Sequence, residues 1–221
     1  MDFDFAPYFA KYEALVEMVD GIFARVKEEH PDRVKCKKGC SDCCFALFDL
    51  TLVEAIYINH AFNNAFGRDE QMLEKANRAD RQIYKLKKRA YREHREGKNE
   101  VEILAEMGRQ RIRCPLLNEQ DMCDLYDHRP ITCRTYGIPT AIQGMTHTCG
   151  LSGFEEGGKY PTVNIDAVYR QLYAISQEIV TATGTRYTRM GEMLVPVSMA
   201  ILTDYDDSFF GFADEEPDPA D

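Results

Sequence analysis

Residues 36–44 read CKKGCSDCC, which places four cysteines within nine residues of a polar stretch that contains a glycine. The spacing is Cys36-x3-Cys40-x2-Cys43-Cys44. A cysteine that serves only as a small core residue usually stands alone in an apolar segment, whereas two lysines and an aspartate lie between these four. Several soft thiolates on one short loop are typical of a site that binds a metal ion or a metal cluster.

The other four cysteines are spread over a longer stretch. Cys114, Cys123, Cys133 and Cys149 are separated by eight, nine and fifteen residues. Four plus four thiolates match two four-ligand sites, either one per group or with ligands exchanged between groups. We therefore predict that all eight cysteines are metal ligands. Cys133 or Cys149, taken singly, could instead be a core cysteine. His147 could replace a thiolate as a ligand, but an exposed position in a loop is the favoured interpretation.

The close spacing of the first group bears on the identity of the metal. Three thiolates in a tight run suit three corners of a cubane better than a lone zinc ion, for which two close pairs are usual. We predict a [4Fe–4S] cluster held by Cys36, Cys40 and Cys43, with a fourth ligand from the second group. The remaining thiolates, including Cys44, would hold zinc or a second cluster.

Two arginines flank Cys133 in the sequence. Clustered thiolates carry excess negative charge, and guanidinium groups nearby would offset it. We therefore predict that Arg129 and Arg134 contribute to binding the cofactor, with a surface position at a helix end as the alternative for each.

These residues together resemble a known family. The first group, then Cys114-Pro115-Leu116-Leu117, then Cys123-x-Leu125-Tyr126-x2-Arg129-Pro130-x2-Cys133-Arg134, and finally Cys149, resemble the YkgJ-type cysteine-cluster proteins. The resemblance covers about half of the chain and implies a zinc- or iron-chelating domain with eight cysteines. The same domain is similar to part of the flagellin lysine methylases, which implies an iron–sulfur cluster in that context.

Three functions are consistent with this pattern. The first is a cysteine-cluster protein with a redox or metal-handling role, because eight thiolates saturate two sites. The second is an iron–sulfur enzyme that uses S-adenosylmethionine, such as a protein lysine methylase. Against a standard radical enzyme, Asp42 stands where that superfamily usually has an aromatic residue, and the chain lacks alternating strands and helices. The third is a structural zinc module that binds another protein.

Composition limits the class of protein. The chain has 221 residues and a net charge of −10, and it has neither a basic, apolar leader nor a stretch of about 20 apolar residues that could span a membrane. We expect a cytoplasmic protein without a membrane segment, where thiols are metal ligands rather than disulfides. Eight acids and no base lie beyond Thr203. We therefore expect one helical metal-binding domain over residues 1–203, with the cysteine core at 36–149, and an acidic tail over 204–221 that is disordered from Asp214 onward.

Hydrophobic periodicity predicts a mainly α fold with two cysteine-rich loops and one short hairpin within residues 115–126. Thr51 and Glu54 form a capping-box pattern at the start of a helix. The predicted helices cover about 5–29, 52–66, 69–96, 100–107, a short segment after Pro130, 165–183 and 193–202.

The helix predicted over residues 69–96 is rich in lysine and arginine. Its aromatic residues do not interleave with the charges in a stacking pattern, so a solvated face is favoured and binding to nucleic acid is not expected. An unidentified protein partner is left open, because no residue pattern names one.

Overall fold

The computed structural model describes residues 3–155 and 157–212, and in these ranges it is mainly helical, as predicted. Several short strands join the helices. The α-helices are α1 (Ala6–Glu29), α2 (Leu52–Phe66), α3 (Glu70–Arg95), α4 (Glu100–Gly108), α5 (Ile131–Thr135), α6 (Ile165–Thr183) and α7 (Val197–Leu202). The strands are β1 (Asp49–Thr51), β2 (Thr140–Ile142), β3 (Met145–His147), β4 (Val163–Asn164) and β5 (Leu194–Pro196).

The helix boundaries follow local signals. At the start of α2, Thr51 and Glu54 form the predicted capping box. Asp69 caps α3 by accepting a hydrogen bond from the Met72 amide, and Asn99 caps α4 by accepting one from the Val101 amide. Gly184 ends α6 in the left-handed conformation. These short-range contacts explain why the predicted and observed bounds of the longer helices agree.

The main hydrophobic core lies between α1, α2, α5 and α6. Tyr12 and Val19 of α1 are fully buried there, as are Leu52 of α2 and Leu172 of α6. A second core joins α2 to the first half of α3 and to α7, with Phe62 at its centre. The two cysteine-rich loops lie at the edge of these cores, so the helices form the support on which the loops meet.

Two small sheets differ from the prediction. The helix expected from residue 193 begins at Val197, because Leu194–Pro196 instead forms strand β5, which pairs antiparallel with β1. A three-stranded sheet in the order β3-β2-β4 was also missed. Both involve strands of only two or three residues, which are too short to show an alternating pattern.

The predicted short hairpin is reduced to a single bridge, and a regular hairpin lies farther along the chain. Within residues 115–126 it is reduced to one antiparallel bridge, between Leu117 and Cys123. A regular hairpin lies farther along, where β2 and β3 are joined by Gln143 and Gly144, both with positive φ. Two successive positive φ values are typical of the tight turn that matches the twist of a hairpin. It lies between the last two cysteines.

The packed body continues beyond Thr203. Phe210 is fully buried in the main core, and its carbonyl accepts a hydrogen bond from the Thr185 hydroxyl at 2.6 Å. Asp204 forms an ion pair with Arg68. The first part of the acidic segment is therefore docked through its aromatic residues. The disorder predicted for Asp214 to Asp221 concerns residues outside the described ranges.

Among the described residues, no helix combines the length and the apolar character needed to cross a membrane.

Candidate metal centre

The eight cysteines come from five different places in the fold. Cys36 and Cys40 lie in the loop after α1, and Cys43 and Cys44 lie in a 3-10 turn over Asp42–Phe45. Cys133 lies on α5. Cys114 and Cys123 lie on either side of the bridged turn, and Cys149 follows β3. All eight are free thiols.

Backbone hydrogen bonds join the first cysteine group to the second. The Cys114 amide donates to the Cys44 carbonyl at 2.7 Å, and the Ile112 amide donates to the Phe45 carbonyl at 3.2 Å. Ala46 and Arg111 form an antiparallel bridge beside them. Residues 70 positions apart are thus held side by side by the main chain.

Two neighbouring cavities contain all eight thiols. The first thiol cavity, of about 50 Å³, is lined by Cys36, Cys40, Cys43 and Cys149. The second thiol cavity, of about 30 Å³, is lined by Cys44, Cys114, Cys123 and Cys133, and also by Cys40 and Cys43. Each cavity therefore combines thiols from both groups, and Cys40 and Cys43 form the wall between the cavities.

The thiols line these cavities without converging on one point. Within residues 3–155 and 157–212, no three cysteine, histidine or acidic side chains are grouped closely enough to hold a metal ion as they stand. Zinc requires its sulfur ligands at about 2.3 Å. Metal binding would therefore draw the thiols inward, and the donor set, eight thiols without a disulfide, suits soft metals.

Backbone amides point at three of the sulfurs. The Leu151 amide donates to the Cys149 sulfur at 3.4 Å. In the same way, the Leu116 amide donates to Cys114 and the Leu125 amide donates to Cys123. In each case the donor lies two residues after the cysteine. A hydrogen bond to sulfur favours the thiolate, which is the form that binds metal.

Three thiols are hydrogen-bonded to one another at the wall between the cavities. Hydrogen bonds from Cys133 and Cys44 to the Cys43 sulfur lower the pKa of Cys43 to about 3. The same bonds, together with burial, raise the pKa of Cys44 and the pKa of Cys133. Cys43 is thus the thiolate of the group, and the other two hold the protons that a metal would displace.

Burial opposes ionisation of most other thiols. It raises the pKa of Cys114 to about 12, and it also raises the pKa values of Cys36, Cys123 and Cys149. A thiolate in these positions needs a positive charge nearby, and a bound metal would supply it.

The two predicted arginines occupy different positions. Arg129 lines the second thiol cavity, stacks on the Tyr126 ring at 3.7 Å, and favours the thiolates of Cys36, Cys43 and Cys123 electrostatically. The side chain of Arg134 is only 8% exposed. It donates to the carbonyls of Arg129 and Asp127 and pairs with Asp20 at 2.6 Å. Arg129 thus faces the sulfurs, whereas Arg134 holds the backbone that carries Arg129.

The Asp42 carboxylate contacts the Cys149 thiol on one side and the Arg111 guanidinium on the other. One of its oxygens accepts a hydrogen bond from the Cys149 thiol at 3.5 Å, and the other pairs with Arg111 at 2.5 Å. This contact draws the loop of Cys149 toward the first cysteine group. A second contact acts from the other side, because the Arg33 guanidinium donates to the Gly153 carbonyl at 2.7 Å.

Glu54 has a second contact that the capping box did not predict. One oxygen accepts from the amide and hydroxyl of Thr51 at 3.1 and 3.0 Å, which is the capping box. The other accepts from the Ile131 amide at 3.1 Å, at the first turn of the helix that carries Cys133. The residue is only 2% exposed, and burial raises its pKa. Glu54 therefore joins the starts of two helices inside the protein.

The structure places His147 on the surface, as the favoured sequence interpretation expected, and a different histidine near the sulfurs. His147 is exposed on β3 and lines, with Cys149, a separate cavity of about 260 Å³. The histidine that lines the second thiol cavity is His128, whose Nδ1 lies 3.2 Å from the Tyr57 hydroxyl, which donates to Glu13 at 2.9 Å. Sequence analysis missed His128. Its position five residues before Cys133 and five after Cys123 was the available signal.

Comparison with known proteins agrees with this geometry. The family model CxxCxxCC, described as a zinc- or iron-chelating domain, matches residues 35–150. The matched segment begins just before Cys36 and ends just after Cys149, so it contains all eight cysteines. No curated protein and no solved structure is similar enough to this chain to count as a match. The match spans 116 of the 221 residues, and the chain therefore belongs to the CxxCxxCC family of zinc- or iron-chelating domains.

Proposed function

We propose that this protein is an iron–sulfur protein with two thiolate centres, acting in a redox or metal-handling role. The observation that supports it best is the division of the thiols between the two cavities. The first thiol cavity combines the closely spaced run Cys36, Cys40 and Cys43 with Cys149 from the second group. This is the ligand set expected for a [4Fe–4S] cluster whose fourth corner comes from a distant loop.

The second centre would take Cys44, Cys114, Cys123 and Cys133. These thiols arise from a turn, a bridged loop and a helix, and Arg129 lies beside them. A tetrathiolate centre carries net negative charge whether it holds zinc or a cluster, so an adjacent guanidinium stabilises either one. We propose zinc or a second cluster in this position, and the structural zinc module remains the outcome if neither centre contains iron.

The alternative enzyme would need an iron with an open position for S-adenosylmethionine. In the proposed first centre, Cys149 supplies the fourth thiolate and closes that position. Two features favour the enzymatic alternative. The Cys36-x3-Cys40-x2-Cys43 spacing is the one by which radical enzymes hold three irons and leave the fourth open. The cavity of about 260 Å³ that shares the Cys149 wall could admit a small substrate to that side.

The test is to purify the full chain without oxygen and measure iron, sulfide and zinc, together with the absorption spectrum. We expect a brown protein that absorbs near 400 nm and bleaches on reduction. Cys149→Ser should remove the metal of the first centre only, and Cys123→Ser that of the second only. Ser41→Ala, in the same loop as Cys40, is the matched control and should retain both.

Three results would contradict parts of this proposal. A colourless protein with stoichiometric zinc would remove the iron–sulfur claim and leave a structural zinc module. Equal loss of both metals in each cysteine variant would show that the thiols form one shared centre. A change in the electron paramagnetic resonance signal on adding S-adenosylmethionine to the reduced protein would favour the enzyme.

A further inference from the structure

The second half of α3 stands on the surface, away from the metal centre. Its buried residues, Met72, Ala76, Ala79 and Ile83, all lie in the first half, and no residue after Ile83 in this helix is buried. The second half is held by an ion pair between Lys87 and Asp49 at 2.7 Å and by contacts with α4. Most of the other side chains of this half are exposed to solvent.

The exposed side of this half is strongly basic. Six cations are exposed between residues 81 and 95, and the one carboxylate in that stretch, Glu93, lies between Arg89 at 3.7 Å and Lys98 at 3.0 Å. Two of the six have carboxylates one turn away, at 3.7 Å for Arg89 and 3.8 Å for Arg92. The six cations are Arg81, Lys85, Lys88, Arg89, Arg92 and Arg95. In a chain with a net charge of −10, this is a local reversal of sign.

Two tyrosines lie among these cations. The spacing of Tyr84, Lys88, Tyr91 and Arg95 is four, three and four residues, so all four lie in one row along the helix. The tyrosines are 63% and 66% exposed. Their Cα atoms lie about 10 Å apart along the helix axis, given the rise of about 1.5 Å per residue. Rings and charges thus alternate along one exposed row of the helix, contrary to the expectation from the sequence.

We propose that this basic–aromatic row binds single-stranded nucleic acid. Bases would stack on the faces of Tyr84 and Tyr91, while phosphates would bind the cations beside the groove of about 540 Å³ between Lys85 and Arg95. Exposed aromatic rings combined with a positively charged groove are how proteins bind single strands without reading their sequence. This function is independent of the metal centre proposed above.

A lipid surface fits the row less well. A helix that lies on a membrane buries aliphatic and aromatic residues on one face. In the second half of α3, the aliphatic side chains Ile83 and Leu86 pack inward against the protein, and the exposed side from residue 81 to 95 contains no aliphatic residue. An acidic protein would engage the cations but would gain little from two exposed rings.

The test is fluorescence anisotropy of a labelled 15-nucleotide oligo(U) with the metal-loaded full chain, at several salt concentrations. Tyr84→Ala combined with Tyr91→Ala should weaken binding about tenfold or more, because stacking is lost at two bases. Lys85→Gln, Lys88→Gln and Arg95→Gln together should weaken binding and reduce the slope of log affinity against log salt by about 2. The matched control is Lys11→Gln, Lys27→Gln and Lys159→Gln, with the same change in charge on other exposed surfaces.

The result can overturn the proposal in several ways. No binding at low salt would refute it directly. Equal affinity of the tyrosine variant and the original chain, or equal loss in the control variant, would show that only diffuse charge attracts the strand. Tighter binding to vesicles of phosphatidylserine, or to polyglutamate, than to oligo(U) would assign the surface to a membrane or to an acidic protein instead. Circular dichroism and metal content show whether the variants remain folded.

Discussion

The two thiol cavities are built in different ways, although they share a wall. The second thiol cavity is supported by a main-chain bond from Cys114 to Cys44 and by one buried side chain, Glu54, which holds the start of the helix that carries Cys133. The first is supported by a main-chain bond from the Gly153 amide to the Arg33 carbonyl at 2.8 Å and by the Asp42 and Arg33 side chains, which bring the Cys149 loop to Cys36 and Cys40. The second cavity is therefore attached to the buried core, whereas the first is completed by a largely exposed loop.

The proton inventory also differs between the two cavities. In the second, the pKa values of Cys44, Cys114, Cys123 and Cys133 are all raised, so a metal must displace several protons. In the first, the pKa values of Cys36 and Cys149 are raised, whereas the pKa of Cys43 is lowered to about 3. The second cavity is thus better attached to the buried core, whereas the first has fewer thiols that must lose a proton before a metal binds.

The largest expected effect follows from this difference in protons. As the pH falls from 8 to 6, metal affinity should fall by about a factor of ten per pH unit for each proton displaced. The sign follows from the raised thiol pKa values, because protons compete better with the metal as their concentration rises. We expect the second centre to lose its metal at a higher pH than the first, measured by anaerobic titration with a chelator that reports each metal. Identical pH profiles would contradict the difference in thiol ionisation.

The next effect tests the support that the buried Glu54 side chain gives to the second cavity. Glu54→Ala should destabilise the protein by about 3 kcal/mol, because the buried amides of Thr51 and Ile131 both lose their acceptor. Metal loss should be greater at the second centre, through movement of Cys133. Urea denaturation of the metal-loaded protein measures the first effect and metal analysis the second. Glu54→Gln, which keeps one carbonyl acceptor, should cost about 1 kcal/mol, and a cost as large as that of alanine would show that charge matters more than the bonds.

The smallest effect concerns the first cavity. A Cβ on Gly137 would lie 2.3 Å from the Cys36 Cβ, so Gly137→Ala must push that cysteine away. We expect a cost of about 2 kcal/mol, typical of overpacking, with metal lost from the first centre and kept at the second. Gly150→Ala is the matched control, because nothing lies within 4 Å of its added Cβ. If both variants keep their metal, the packing of Gly137 against Cys36 does not position the first centre.

The fold was predictable where its signals are local. Capping residues lie within three positions of the helix ends they stabilise, which is why Thr51, Asp69 and Asn99 mark real helix starts. The pairing of β1 with β5 was not predictable, because their partners are about 145 residues apart and each strand is only three residues long. The docking of Phe210 could not be decided from the sequence for a related reason. Its acidic neighbours favour a solvated tail and its aromatic neighbours favour docking, while its burial depends on a core built by distant helices.

By itself, the sequence determined that this protein supplies soft thiolate ligands for a metal. Eight cysteines in two groups, with four of them within nine residues, have few other uses. It also determined most of the helices, through caps and periodicity. Only the tertiary structure decided which thiols share a cavity, that Arg129 rather than Arg134 faces them, and that Glu54 joins α2 to α5. The physical reason is how far apart along the chain the interacting residues lie. Helix formation depends on neighbours in the chain, whereas a ligand set depends on which distant loops the core holds together.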